Sequence, residues 1–123
     1  LPICIKVPTE HEEQKAVIKW FDLQHAEHRG RLLAIPNGGE RNVVVAAKLK
    51  AEGVRKGVPD LLLPVARNGF HGLWIELKRT KGSSLSAEQS QWIEYLTGQG
   101  YMAVICKGAD AARETISGYL RGQ

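Results

Sequence analysis

The spacing of apolar positions changes several times along the chain, and each change predicts an element. After a proline-containing extended lead-in over residues 1–8, Thr9 supplies an N-cap and Glu12 completes a capping box. The helix that follows runs to about His25, with Ala16, Val17, Trp20 and Phe21 as its apolar stripe. Glu10, Gln14, Val17 and Phe21 share one side of it. That spacing puts Glu10 at the end of the inward face and leaves Glu12 and Glu13 leaning to solvent, Glu13 one helical position from the stripe. Residues 31–35 read as a short strand, stopped by the turn signal Pro36-Asn37-Gly38-Gly39. Residues 42–51 form a helix with Val43, Val44 and Ala47 inward and Gly53 as its terminator. Two apolar strands, residues 61–65 and 72–77, are joined by a turn around Arg67-Asn68-Gly69. Ser86 and Gln89 form a second capping box and open a helix to about Thr97, in which Gln89, Trp92, Ile93 and Leu96 share a stripe. Gly98 and Gly100 end it. The unbroken apolar run YMAVIC, residues 101–106, predicts an interior strand buried on both faces. A last helix over residues 110–120 buries Ala112, Ile116, Tyr119 and Leu120.

The predicted order is α, β, α, β, β, α, β, α. It implies one α/β domain over residues 1–123: a central mixed β-sheet flanked by helices, the last strand entering by a right-handed crossover. A chain of 123 residues has room for one core and too little for two. Its apolar runs fall far short of the roughly 20 residues a membrane span requires, and no charged-then-apolar leader precedes the first helix. Cys4 and Cys106 lack metal-site spacing, so buried free thiols in a cytoplasmic protein are expected.

Charge is uneven. The net charge is +4, and residues 41–57 alone carry Arg41, Lys48, Lys50, Arg55 and Lys56 against Glu52, which equals the whole excess. Arg79 and Lys81 add a second basic group. Cations gathered this way suit a polyanion such as DNA, or else form a solvated helix face.

The candidate chemistry lies at the ends of the two central strands. Asp60 follows Pro59 at the start of the first, and Glu76-Leu77-Lys78 ends the second. Side chains alternate along a strand, so Glu76 and Lys78 share a face and Leu77 points into the core. Antiparallel pairing would bring Asp60 to them. Two carboxylates and a lysine converging there are either a site for a hard cation and a phosphodiester or a salt-bridged strand end. Glu10 is either a helix-dipole acid or a member of that site. Gln89 either caps its helix or reaches the site. His25 and His28 suit a helix C-terminal end, and His71 the surface.

These residues carry a resemblance. Pro59-Asp60 followed by Glu76-x-Lys78 resembles the PD-(D/E)xK nuclease signature. Thr9-Glu10…Gln14, Pro36-Asn37-Gly38-Gly39, Gly57-Val58-Pro59-Asp60, Ser86…Gln89…Trp92 and Gly100-Tyr101 fall around it in the order of the VRR-NUC branch. The chain is similar to stand-alone phage and bacterial members over about residues 9–120. The resemblance implies a restriction-endonuclease-like core and a Mg²⁺- or Mn²⁺-dependent endodeoxyribonuclease. Asp60, Glu76 and the Leu77 backbone carbonyl would bind metal, with Glu10 joining directly or through water. Lys78 would be the catalytic lysine and Gln89 the site glutamine. Asn37, Arg41, Lys48, Lys50, Arg55, Lys56, Arg79 and Lys81 are the candidate DNA contacts. A homodimeric Holliday-junction resolvase is the expected activity; a nuclease for flaps, forks or nicked duplex and an inactive DNA-binding module are the alternatives.

Overall fold

Two capping boxes predicted from sequence start two of the four α-helices among the described residues. In the computed structural model, which describes residues 6–36 and 42–122, the Thr9 hydroxyl accepts from the Glu12 N–H and the Glu12 side chain accepts from the Thr9 N–H. The helix this launches, α1, spans Glu10–Gln24, with Val17 and Phe21 fully buried and Ala16 left exposed. His25 closes α1, its ring against Trp20 and Phe21, and a single 3-10 turn follows over Ala26–His28. Strand β1 is only Leu33–Ala34. Helix α2 covers Val43–Ala51, with the Asn42 side chain accepting from Val45 N–H and Gly53 positive in φ just past its end.

The hairpin forms as the sequence predicts. Strands β2 (Leu61–Leu63) and β3 (Leu73–Lys78) pair antiparallel. Asn68 and Gly69 both take positive φ inside the Arg67–Phe70 bridge, the geometry whose twist matches the flanking strands. Helix α3 (Ala87–Gly98) then leads to β4 (Met102–Lys107), parallel to β3, and α4 spans Ala109–Arg121. The sheet order is β1-β2-β3-β4.

Strand alternation sorts the two faces of β3. Leu73, Ile75 and Leu77 join Leu61 and Leu63 in a core with Val17 and Phe21 of α1 and Ala112, Ile116 and Tyr119 of α4. Glu76 and Lys78 therefore project from the opposite face. The Tyr119 hydroxyl donates to the Val65 carbonyl at 2.6 Å, latching α4 to the hairpin.

Three expectations are corrected. Strand β4 is not interior: among the described residues it ends the sheet, and Ile105 is exposed. Its apolar run arises because α3 and α4 both pack on it. Nor is the strand buried on both faces: Cys106 is the one buried residue of β4, so the unbroken run overstated its cover. Val43, Val44 and Ala47 do not turn inward; α2 buries no residue, and Val43 and Val44 are 85% and 79% exposed. Apolar residues lie all round this helix, so spacing specifies no inward stripe. Finally, Glu13 does not lean to solvent. It is 8% exposed, and its Oε2 accepts from the Ala109 N–H. Helix α4 starts at Gly108, which has no capping side chain and a φ of 88°, so a carboxylate from α1 supplies the missing acceptor. A Cβ on Gly108 would stand 2.7 Å from Thr80 Cγ2.

Candidate active site

The β2–β3 register places Leu61 opposite Ile75, and one step before β2 begins this sets Asp60 across from Glu76. Asp60 is fixed from two sides. Its carbonyl accepts from the Ile35 N–H at 2.8 Å, beside the β1 pairing, and its Oδ2 accepts from the Leu77 N–H at 2.8 Å. The carboxylate thus takes the ladder position that a further β2 residue would have filled. N–H and C=O of one strand residue lie on the same edge, so the Leu77 carbonyl faces this side as well.

Glu76 is 1% exposed, and its Oε1 has no hydrogen-bond partner among the described residues. Burial pushes its carboxyl up to about 9; a hydrogen bond and repulsion from Asp60 add to the rise, Lys78 opposes it, and Glu10 contributes further repulsion. A buried carboxyl facing a second carboxylate gives up its proton reluctantly. The Glu10 charge is thus felt at Glu76, although Glu10 itself is exposed on the first turn of α1. Glu13, three residues further along α1, is committed to the start of α4.

Lys78 is 7% exposed, with Nζ 3.8 Å from Glu76 Oε2 and donating to Gln89 Oε1 at 3.0 Å. The same Gln89 oxygen accepts from the Ser86 N–H at 2.8 Å, while the Gln89 N–H donates to Ser86 Oγ. Sequence reasoning left two roles open for Gln89, cap or site; the structure shows the cap, and the same side chain also accepts from Lys78. Gly57, positive in φ, lies so close to α3 that a Cβ would meet the Glu88 backbone at 2.7 Å and Gln89 N at 2.9 Å, which clamps the strand carrying Asp60 to the helix carrying Gln89.

The fit to a metal follows from the donor set. Two opposed carboxylates, one with an unpartnered buried oxygen, and a nearby carbonyl suit a hard cation that keeps several of its waters. Among the described residues no group of three or more His, Cys, Asp or Glu side chains converges as metal ligands, so Glu10 does not complete a close triad and the His25/His28 pair forms no site.

The candidate DNA contacts divide. Asn37 and Arg41 lie outside the described residues. Lys48, Lys50 and Lys81 are exposed, and Lys56 pairs at 3.7 Å with Glu88. Arg55 donates to the Lys50 carbonyl at the end of α2, and Arg79 reaches the carbonyls of Val7 and Pro8. Cys106 is a buried free thiol beside Thr115; Cys4 lies outside the described residues.

A carboxylate at the start of one strand facing a Glu-x-Lys pair on its neighbour, in a mixed four-stranded sheet flanked by helices, is the arrangement of the PD-(D/E)xK nucleases. The VRR-NUC domain matches the chain over residues 4–110. A solved structure of a "VRR_NUC domain protein" superposes with a TM-score of 0.83 and 34% sequence identity, over 95% of this chain and 92% of that one. No curated protein matches the chain. The chain belongs to the VRR-NUC family, a family of nucleases. No helix among the described residues is long and apolar enough to cross a membrane.

Proposed function

We propose that this chain is a metal-dependent, structure-selective DNA endonuclease acting as a homodimeric Holliday-junction resolvase. The observation that carries the nuclease chemistry is the buried Glu76 oxygen without a partner among the described residues, facing Asp60 and beside a lysine that donates to Gln89. Asp60, Glu76 and the Leu77 carbonyl would hold Mg²⁺ or Mn²⁺, with Glu10 joining through water. When bound, the ion stabilises charge building on the phosphate and lowers the pKa of an attached water. Lys78 presents its ammonium to the reacting phosphate and orients the attacking water; its link to Gln89 fixes the direction of that charge. Lys48, Lys50 and Lys81 contribute contacts to the DNA backbone. Similarity to stand-alone VRR-NUC members supports the junction substrate, and the uncovered valines of α2 support a second copy.

The test compares a synthetic four-way junction with its matched linear duplex, in Mg²⁺ and in Mn²⁺, beside an Asp60→Asn control. Paired symmetric nicks on the junction, lost in the control, are expected. Cutting of flaps or nicked duplex without paired incision would replace the resolvase by a repair-type nuclease. Binding without cleavage in either metal would leave a DNA-binding module.

A further inference from the structure

Along α3 lies an open cavity of about 310 Å³ that the proposed chemistry does not use, lined by Lys56, Glu88, Gln91, Trp92 and Tyr95. Trp92 and Tyr95 meet edge to face, ring centroids 5.9 Å apart and planes at 86°, and Tyr95 is 59% exposed. The two rings form a corner that leaves an aromatic surface accessible on the outside of the protein. We infer that this corner is a subsite for one nucleobase of the DNA substrate, left unpaired or unstacked at the branch. The inference rests on the nuclease reading above and adds to it a substrate determinant.

Three observations favour a base as the occupant. The cavity is at the small end of the roughly 300–1,000 Å³ range of ligand sites, suited to one planar ring system and not to a length of chain. Its polar rim suits a nucleotide: the Gln91 amide can meet a base edge, and Lys56, which pairs with Glu88 at 3.7 Å, is a cation on the rim for an attached phosphate. Its position is tied to the site. Glu88 precedes Gln89 on α3, and the close approach of Gly57 to both fixes the Lys56 wall against them. Aromatic surfaces beside cationic tracks hold unpaired bases without regard to sequence. A second copy of the chain is the rival occupant, which loss of a dimer on removing the Tyr95 ring would reveal.

The experiment measures DNA affinity of the full chain in EDTA, so that nothing is cut. The probes are a forked duplex with 2-aminopurine at its first unpaired position, the same fork with an abasic residue there, and a continuous duplex. Tyr95→Leu, which keeps apolar bulk, is expected to weaken fork binding about 5- to 100-fold and to remove the 2-aminopurine quenching. Tyr95→Phe, which keeps the ring, should stay within about 2-fold of the wild type. The abasic fork should bind the wild type as weakly as the intact fork binds Tyr95→Leu, with no further loss for the variant. Equal losses on fork and continuous duplex, or an abasic fork bound as tightly as the intact one, would overturn the subsite. A fall from two copies to one in sedimentation of Tyr95→Leu would likewise overturn it and make the face an interface between copies. If the wild type cuts branched DNA in Mg²⁺ without this base dependence, only the subsite fails; if it neither binds nor cuts any DNA, the nuclease reading fails with it.

Discussion

Replacing Glu76 by glutamine should abolish cleavage and yet make the metal-free protein more stable above neutral pH. Burial and the facing Asp60 hold the Glu76 carboxyl up at about 9 in the folded protein, against an ordinary 4.5. Between those values the folded chain keeps a proton that the unfolded chain has released. The native state therefore binds more protons, and stability falls as pH rises through this window. At 1.36 kcal/mol per unit, the wild type has lost about 3 kcal/mol by pH 7 relative to pH 4.5. The glutamine of the variant has no proton to lose, and its amide can donate to Asp60 as the protonated acid does. The assay is urea unfolding in EDTA at several pH values between 5 and 9, for wild type and Glu76→Gln. The gap between the two should widen in favour of the variant by about 4 kcal/mol from pH 5 to pH 8. Saturating Mg²⁺ should then restore most of the wild type's loss and leave the variant nearly unmoved, since a ligand at 100 times its Kd adds about 2.7 kcal/mol only where it binds. Parallel pH profiles for the two proteins would refute the reasoning, because they would mean that Glu76 carries no shift of its own.

Lys78→Ala should lose cleavage while junction binding in Ca²⁺ survives; wild-type turnover by this variant in a nicking assay would remove Lys78 from the chemistry. Glu13→Ala leaves the start of α4 without its acceptor, and thermal denaturation should show a loss of about 1–3 kcal/mol; cleavage at low temperature should persist, since Glu13 serves the fold. Neutralising Lys48 and Lys50 together should reduce the slope of log affinity against log salt by about 2. An unaltered slope would make that side of α2 a solvated surface with no phosphate contacts.

Where one local rule settled a question, the sequence was sufficient. Thr9 and Ser86 announced their helices through side chains suited to accept the free N–H groups of a first turn, and Asn68-Gly69 announced the hairpin through its backbone freedom. The hairpin in turn brought Asp60, Glu76 and Lys78 together. Errors arose where a tertiary contact outweighed local spacing. Glu13 lies four and eight residues before Val17 and Phe21, the buried pair, so it shared their face all along. Its charge suggested solvent because its partner, the start of α4, lies 96 residues away. The missing clue was Gly108, a helix start with no acceptor of its own. Helix α2 misled for the opposite reason: apolar residues on every side promised burial that the sheet does not provide. The aromatic corner at Tyr95 was equally hidden, since Trp92 reads as stripe and only the packing shows which edge of α3 remains open.

One oxygen atom, Gln89 Oε1, both closes the first turn of α3 and anchors the ammonium of Lys78. Fraying of that turn would take from Lys78 its hydrogen-bond acceptor and leave it only the 3.8 Å approach to Glu76. Helix ends open more readily than the core they adjoin, so under the role proposed for Lys78 the first turn of α3 is where warming is expected to act first. Warming should silence the enzyme reversibly while its sheet is still intact, with activity returning on cooling at the rate a single helical turn re-forms.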